Sequence, residues 1–539
     1  MLELKKIKKR MSLKYLRFFI LILGLFFGFG CDDKKSEPIE NSTLFSYQWY
    51  LYNSGQSVGS ANFPAIGEDI NVTSVWLQYK GRGVKVAVVD TGIEYEHPDL
   101  MGNIDSLLSY RYSDNSYNSS PADWQKSNPE LGYHGTACAG IIGAISNDGY
   151  GVVGVAPEAT LVGLNAFSYD TASNFADALY NQNREIDISS NSWNDTQGAL
   201  DDESSEIIAI KNGATFGRSG KGVVYFFAAG NQRGMDQNRS YNSNWNRELN
   251  NPFVITVASL NANGKYSSYS NFGANILISA YGGEFGITDP AIVTTDLLGN
   301  YGLDSLEPSA KQSHFAVDGN ENAEFTNTMN GTSAATPMMA GVGALILNAN
   351  PNLSYRDIRY ILATTARKND PSDIDWAKNG AGYWINHNYG FGAVDAYSAV
   401  NKAKDFESLG RLIEKEYYSG EINSFVSFSS GFEVEIDVAD NILLEHVELV
   451  LDLPHESSKD LEIVLYSPSG TASLLSHTHN ISSELNLYRN FFTQFPLSSA
   501  RYLDEESAGK WKIVIKDSVD NLKNGTIYGY WLKLRGRAL

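Results

Sequence analysis

Between about residues 84 and 258 the chain carries short, unbroken apolar runs separated by polar or glycine-rich stretches. Val84-Lys85-Val86-Ala87-Val88-Val89 is the clearest, and residues 160–164, 186–190, 223–228 and 254–258 repeat the pattern. Runs this short and this continuously apolar predict strands buried on both faces. Between them, residues 176–183 and 203–214 have helical spacing. Strands alternating with helices predict a mostly parallel sheet covered on both sides. Residues 333–349 and 354–366 read as two consecutive helices, the second begun by Ser354 as its N-cap.

The periodicity changes after about residue 420. Phe432-Glu433-Val434-Glu435-Ile436-Asp437-Val438 alternates strictly, as a half-buried strand does. Residues 446–453, 461–465 and 511–515 are further strand candidates, separated by turn chemistry such as Ser467-Pro468-Ser469-Gly470. The pattern predicts an all-β module, most simply a sandwich. The charged stretch 402–416 is the expected junction.

The N-terminus has a third texture. Residues 1–17 hold seven basic residues and one acidic one, and an uncharged apolar run of twelve residues follows, 18–29. That run is short for a bilayer span and suits the apolar region of a secretory signal. It ends in Gly28-Phe29-Gly30-Cys31, which resembles a bacterial lipoprotein signal cleaved before Cys31, leaving a lipid on that cysteine. The alternative is a plain secretory signal in which Cys31 is incidental. Residues 32–42 read as a polar tether.

Composition narrows the function. At 539 residues the chain exceeds one small module, and two cysteines exclude a disulfide-dense scaffold or a four-cysteine metal site. The formal charge is −20, and removal of the signal leaves 35 basic against 61 acidic residues, near −26. That balance argues against a general nucleic-acid binder and suits a solvated exported protein.

Three motifs carry candidate chemistry. Val88-Val89-Asp90-Thr91-Gly92 puts an acid at the end of a buried strand, where α/β sheets place functional groups. His134-Gly135-Thr136-Ala137-Cys138-Ala139-Gly140 opens a helix of small residues with a histidine. Asn330-Gly331-Thr332-Ser333-Ala334-Ala335-Thr336-Pro337 sets a serine at a helix start, beside free N–H groups. Taken singly, each has an ordinary reading: a turn, a structural histidine, an N-cap. Together they form a nucleophilic relay, because serine needs a base and the base needs an orienting group. Asp90 would orient His134, and His134 would deprotonate Ser333. Asn231, after the strand ending in Ala228, could donate to an oxyanion together with the Ser333 N–H.

At these residues the chain resembles the subtilases, the subtilisin-like serine proteases, over about residues 44–400. Finer features resemble the kexin and proprotein-convertase branch: Phe45-Ser46-Tyr47-Gln48-Trp49, His97-Pro98-Asp99-Leu100 and Asn388-Tyr389-Gly390-Phe391-Gly392. Asp460-Leu461-Glu462-Ile463, Gly509-Lys510-Trp511 and Gly529-Tyr530-Trp531-Leu532 resemble that branch's P domain. The resemblance implies an α/β, subtilisin-like three-layer fold with a mostly parallel sheet, followed by an all-β, jelly-roll-like P domain. The expected organisation is a signal at 1–30, a tether at 31–43, a catalytic domain at 44–402, a linker at 403–420 and the P domain at 421–539.

The resemblance also implies a peptide-binding edge at Ser192, Trp193 and Asn194, with Asp195 following, where an extended substrate adds a strand. It implies calcium as well, held by side-chain oxygens of Asp99 and Asp148 and by backbone carbonyls of Ile145, Tyr150 and Val152. An ordinary Asn-Asp-Gly turn is the competing reading. The family's acidic ligand near the N-terminus falls on Ser42. Of the acids that line the pockets of dibasic-cutting convertases, two fall on Thr91 and Asn246 and a third on Asp195, so most of the set is missing and strict dibasic cleavage is not expected. The family's folding prodomain is missing between Cys31 and Leu44, which leaves folding to the P domain or to a separate chaperone. Cys138 reads as a small buried residue, and His477 and His479 as exposed strand histidines.

The expectation is a serine endopeptidase of the bacterial cell envelope, lipid-anchored through Cys31 or secreted. It would be calcium-stabilised and monomeric, acting on protein or peptide substrates with no nucleic-acid partner. The competing class is a catalytically silent binding lipoprotein that works through its β module.

Overall fold

Seven strands form the central sheet: β1 (Lys85–Val89), β2 (Tyr110–Arg111), β3 (Thr160–Asn165), β4 (Ile188–Asn191), β5 (Val224–Ala228), β6 (Val254–Leu260) and β7 (Ile276–Tyr281). Their order is β2-β3-β1-β4-β5-β6-β7, and every pairing is parallel. The computed structural model describes residues 41–128, 131–182, 184–194, 204–233, 241–305, 314–478 and 492–539. Cys31, Asp195 and His479 therefore lie outside the described residues.

The continuous apolar runs are explained by two buried faces. Val86 and Val88 of β1 enter the large core shared with the long central helix, while Ala87 and Val89 enter a separate cluster on the opposite face. Helices α2 (His134–Gly143) and α5 (Thr332–Ala349) contact each other on one face, where α5 also packs against β4 to β7. Helices α3 (Ala172–Leu179) and α4 (Ser205–Gly220) pack together on the other. The short α1 (Asp123–Lys126) precedes α2. Helix α6 (Tyr355–Thr365) begins at Ser354, whose side chain accepts the Asp357 N–H while the Asp357 carboxylate accepts the Ser354 N–H. Helix α7 (Ala396–Lys404) ends the α/β part. An antiparallel pair, β8 (Ile292–Thr295) and β9 (Phe325–Met329), flanks α2, and β10 (Ala377–Lys378) pairs with β11 (Trp384–Ile385).

The C-terminal part is antiparallel. One sheet has the order β12-β21-β15-β18, from Ile413–Tyr418, Gly529–Arg537, Leu443–Leu453 and Phe492–Ser499. The other has the order β14-β19-β16-β17, from Phe432–Val438, Gly509–Asp517, Leu461–Tyr466 and Ala472–Ser476. β13 (Ser424–Val426) and β20 (Gly525–Ile527) form a third pair. The inward residues of the two larger sheets share one core, including Leu449, Leu451, Ile463, Trp511 and Leu532.

Two expectations need correction. Ile413–Tyr418, expected within a linker, is β12, and its backbone pairs with β21 along its whole length. Glu414 and Glu416 lie on its exposed face at the sheet edge and disguise the strand. His477 is not an exposed strand histidine: its ring stacks on Trp245 at 5.1 Å and packs on Phe272 at 4.8 Å.

Those contacts join the two parts, which lie in one compact unit from Asn41 to Leu539. Trp245 and Ala274 of the α/β part belong to the sandwich core. Asn244 Nδ2 donates to the Ser498 carbonyl and its Oδ1 accepts the Ser498 N–H, at 2.9 and 2.8 Å. Asn250 Nδ2 reaches the Pro496 carbonyl at 2.7 Å.

Candidate active site

Sheet topology gathers the candidate groups at one end. Asp90 follows β1 directly, Ser192 follows β4, and Asn231 lies just past β5; His134 opens α2, and Ser333 lies in the first turn of α5. This is the carboxyl edge of a parallel sheet, faced by two helix N-termini.

His134 Nδ1 lies 2.8 and 3.0 Å from the two carboxylate oxygens of Asp90. Asp90 is buried and the His134 side chain is about one-fifth exposed, at 21%. Burial pulls the imidazole down, but the Asp90 charge and hydrogen bond outweigh it, and the net is well above the usual histidine value. Cys138 lies one turn on, its Sγ 4.0 Å from His134 Nδ1 and 3.5 Å from the Ser333 carbonyl. Burial pushes the Cys138 thiol up, so it stays protonated. Thr91 braces this arrangement: its N–H donates to Asp90 Oδ1 at 2.7 Å, and its hydroxyl accepts the Gly135 N–H at 3.0 Å.

Ser333 Oγ donates to the Ser192 carbonyl at 3.0 Å. Asn231 Oδ1 accepts both the N–H and the hydroxyl of Thr332, at 2.8 and 2.9 Å. That fixes the amide so that Nδ2 is its free end. A Cβ placed on Gly331 would sit 3.1 Å from Asn231 Nδ2 and 3.4 Å from the Ser333 nitrogen. Gly331, at φ +96°, thus keeps open the one small space onto which both donors converge.

The 192–194 edge, expected to bind peptide, is held from behind. The Trp193 ring packs among Phe167, Phe175 and Phe227, and its Nε1 donates to the Val89 carbonyl at 2.8 Å. Asn194 Nδ2 donates to the Ala228 carbonyl at 3.0 Å. These side chains anchor the edge from within the fold. Asn246, expected near a specificity pocket, is buried in the turn that meets the sandwich, where its Oδ1 accepts the N–H groups of Glu248 and Leu249.

At the loop expected to hold calcium, Asp99 is fully buried and its Oδ2 accepts the Val152 N–H at 2.9 Å. Asp148 Oδ1 accepts the Tyr150 N–H at 3.0 Å. The donor set is oxygen only, two carboxylates with the carbonyls of Ile145, Tyr150 and Val152, and such hard ligands fit calcium. Ser42 is buried and supplies no charge. Sequence reasoning missed Glu324, the residue just before β9, whose carboxylate accepts the Tyr150 hydroxyl beside this loop. It also missed Glu94, buried four residues past Asp90, which pairs with Lys126 and accepts the Leu298 N–H. Glu324 comes from a segment remote from the loop, and Glu94 is local but its partners are remote, so no local motif announces either contact.

Residues 81–392 match the subtilase family, and residues 444–534 match the proprotein convertase P-domain. The chain belongs to the subtilase family. It is 30% identical to the Aeromonas extracellular serine protease of Aeromonas sobria, over 90% of this chain and 85% of that protein. It is 29% identical to Neuroendocrine convertase 2 of Drosophila melanogaster, over 94% of this chain and 73% of that protein. The crystal structure of the Aeromonas sobria serine protease in complex with a chaperone superposes with a TM-score of 0.83 at 27% identity, covering 93% of this chain and 96% of that one. This subtilase is therefore a serine protease with the subtilisin-like fold and a kexin-type P domain. Among the described residues no helix is long and apolar enough to cross a membrane.

Proposed function

We propose that this subtilase is an exported endopeptidase that cleaves peptide bonds through Asp90, His134 and Ser333. The reading is carried by the convergence of the Asp90–His134 pair, the Ser333 hydroxyl and the Gly331 space at one sheet edge. The Ser333 hydroxyl turns from the Ser192 carbonyl towards His134, which takes its proton as Oγ attacks the scissile carbonyl. Asp90 holds the imidazole tautomer and stabilises its charge. Asn231 Nδ2 and the Ser333 N–H hold the oxyanion, a role in which one donor is worth about 3 kcal/mol. His134 then protonates the leaving amine, and water releases the acyl-enzyme by the reverse relay.

The backbone of Ser192, Trp193 and Asn194 would pair with an extended substrate, with Asp195 at its end. Thr91 and Asn246 stand where dibasic-cutting relatives carry acids, and both are committed to internal hydrogen bonds. Cleavage is accordingly not restricted to paired basic residues. Calcium bound by Asp99, Asp148 and the carbonyls of Ile145, Tyr150 and Val152 would tie the loop to the catalytic part. The protein would act as a monomer, secreted or held at the bacterial envelope by a lipid on Cys31. Because the Aeromonas sobria relative forms a complex with a chaperone, a separate chaperone is the proposed folding partner.

The test is labelling with a serine-directed fluorophosphonate. Wild type should label and Ser333→Ala should not; folded wild type that fails to label would leave the silent binding protein as the reading.

A further inference from the structure

Asn231 is held from two sides, and only one belongs to the catalytic helix. On that side Thr332 takes the amide oxygen, and its hydroxyl also accepts the Gly230 N–H at 3.1 Å. On the other side stands Asn271, a buried residue 40 positions away in sequence, between β6 and β7. Its Nδ2 donates to the Ala229 carbonyl at 3.0 Å and to Gln232 Oε1 at 2.6 Å. Its Oδ1 accepts the Gln232 N–H at 2.9 Å, and its own backbone N–H donates to the Gly230 carbonyl at 3.0 Å. Four hydrogen bonds from one residue thus reach Ala229, Gly230 and Gln232, the residues that flank Asn231.

The approach is close enough to dictate the turn. A Cβ on Gly230 would lie 2.4 Å from Asn271 Nδ2, and Gly230 has φ +99°. Neither the left-handed backbone nor the clamp admits a side chain there. The segment carrying Asn271 is itself anchored. The Ser243 N–H donates to the Phe272 carbonyl at 2.8 Å, and neighbouring Asn244 is bonded on both ends of its amide to Ser498 of the sandwich.

We propose that Asn271 is a positioning residue for transition-state stabilisation, holding the 229–232 turn so that Asn231 Nδ2 points into the space above Gly331. The inference rests on the reading of Asn231 as the oxyanion donor. Asn271 does not reach that space itself. Its loss would let the turn relax, and an oxyanion donor works only when its direction is fixed before the charge develops. The effect would then appear in kcat, because the ground-state contacts of the peptide edge are untouched.

A double-mutant cycle tests this on the full-length protein, with thermal melts confirming folding. Asn231→Ala should lower kcat about 100-fold or more. Asn271→Ala should lower kcat about tenfold with KM unchanged, and weaken a peptidyl trifluoromethyl ketone by the same factor. In the Asn231→Ala background the Asn271 substitution should cost less than about twofold, because its route is already gone. Asn271→Ser, which keeps a short hydroxyl and the backbone bond to Gly230, should fall between and serves if the alanine variant does not fold. An equal loss in both backgrounds, or a rise in KM with kcat intact, would overturn the proposal. If Asn231→Ala itself left kcat unchanged, the oxyanion reading would fall, which is a separate result.

Discussion

Ser192 and Ser333 are hydrogen-bonded reciprocally: each side-chain hydroxyl donates to the other's backbone carbonyl, at 2.9 and 3.0 Å. The pair ties the end of β4 to the first turn of α5. It also parks the Ser333 hydroxyl proton on a backbone acceptor that no side-chain substitution removes. Ser192→Ala should cost about 1 kcal/mol of stability, the worth of one buried hydrogen bond. It should leave kcat close to wild type, since the Ser192 carbonyl still accepts the Ser333 hydroxyl. A denaturant melt beside steady-state kinetics checks both halves, and a kcat loss as large as that of Asn231→Ala would give the Ser192 hydroxyl a catalytic part.

The pH dependence follows from the Asp90–His134 pair. Burial disfavours the imidazolium, but Asp90 outweighs it and raises the His134 value well above 6.5. General-base action needs the neutral ring. Activity in the free enzyme should therefore rise through a limb above pH 6.5 and be lost as pH falls. Asp90→Asn removes the charge that raises the value, so its residual activity should show a limb at lower pH. A profile of kcat/KM against pH for both proteins measures this, and a wild-type limb below 6.5 would contradict it.

The legible parts of the sequence were those where one local rule sufficed. The β1 run is continuous because its two faces enter two cores, and Ser354 caps α6 through its own neighbour Asp357. The three motifs were readable because the strand ends and helix starts that carry them need glycine and small residues nearby. What stayed hidden depended on distant partners. Thr91 gave no sign that it would brace Gly135, and Asn271 lies in no motif although it clamps the turn that bears Asn231. Trp245 looks like a loop aromatic until the sandwich closes over it. β12 was hidden for a different reason, because an edge strand with charges on its outer face resembles a solvated linker.

The proposed calcium site carries a consequence for stability, apart from catalysis. The Asp99 carboxylate is fully buried and bonded to the loop at Val152, so an ion there would join the loop to the segment that follows β1. Calcium at about 100 times its dissociation constant adds about 2.7 kcal/mol of stability. Chelation should lower the melting temperature accordingly, and Asp99→Asn should melt at the same temperature with and without calcium. A wild-type protein indifferent to chelator would remove the ion from this loop.

Trp245 is 2% exposed, its ring stacks on His477, and its Nε1 donates to Ser476 Oγ at 3.0 Å. It leaves the α/β part to fill the sandwich core, while Asn244 and Asn250 secure the backbone on either side. Trp245→Ala removes a large buried ring and strands the Ser476 hydroxyl, which should cost about 3–5 kcal/mol. Because the lost contacts cross the junction, the loss should fall on the coupling of the two parts as well as on the sandwich. Calorimetry should show one transition for wild type and a lowered, split transition for Trp245→Ala. Leu449→Ala, inside the sandwich core, should lower the sandwich's own stability without separating it from the α/β part. If Trp245→Ala melted in one transition at the wild-type temperature, the sandwich would not depend on this residue, and the junction would rest on the asparagine contacts alone.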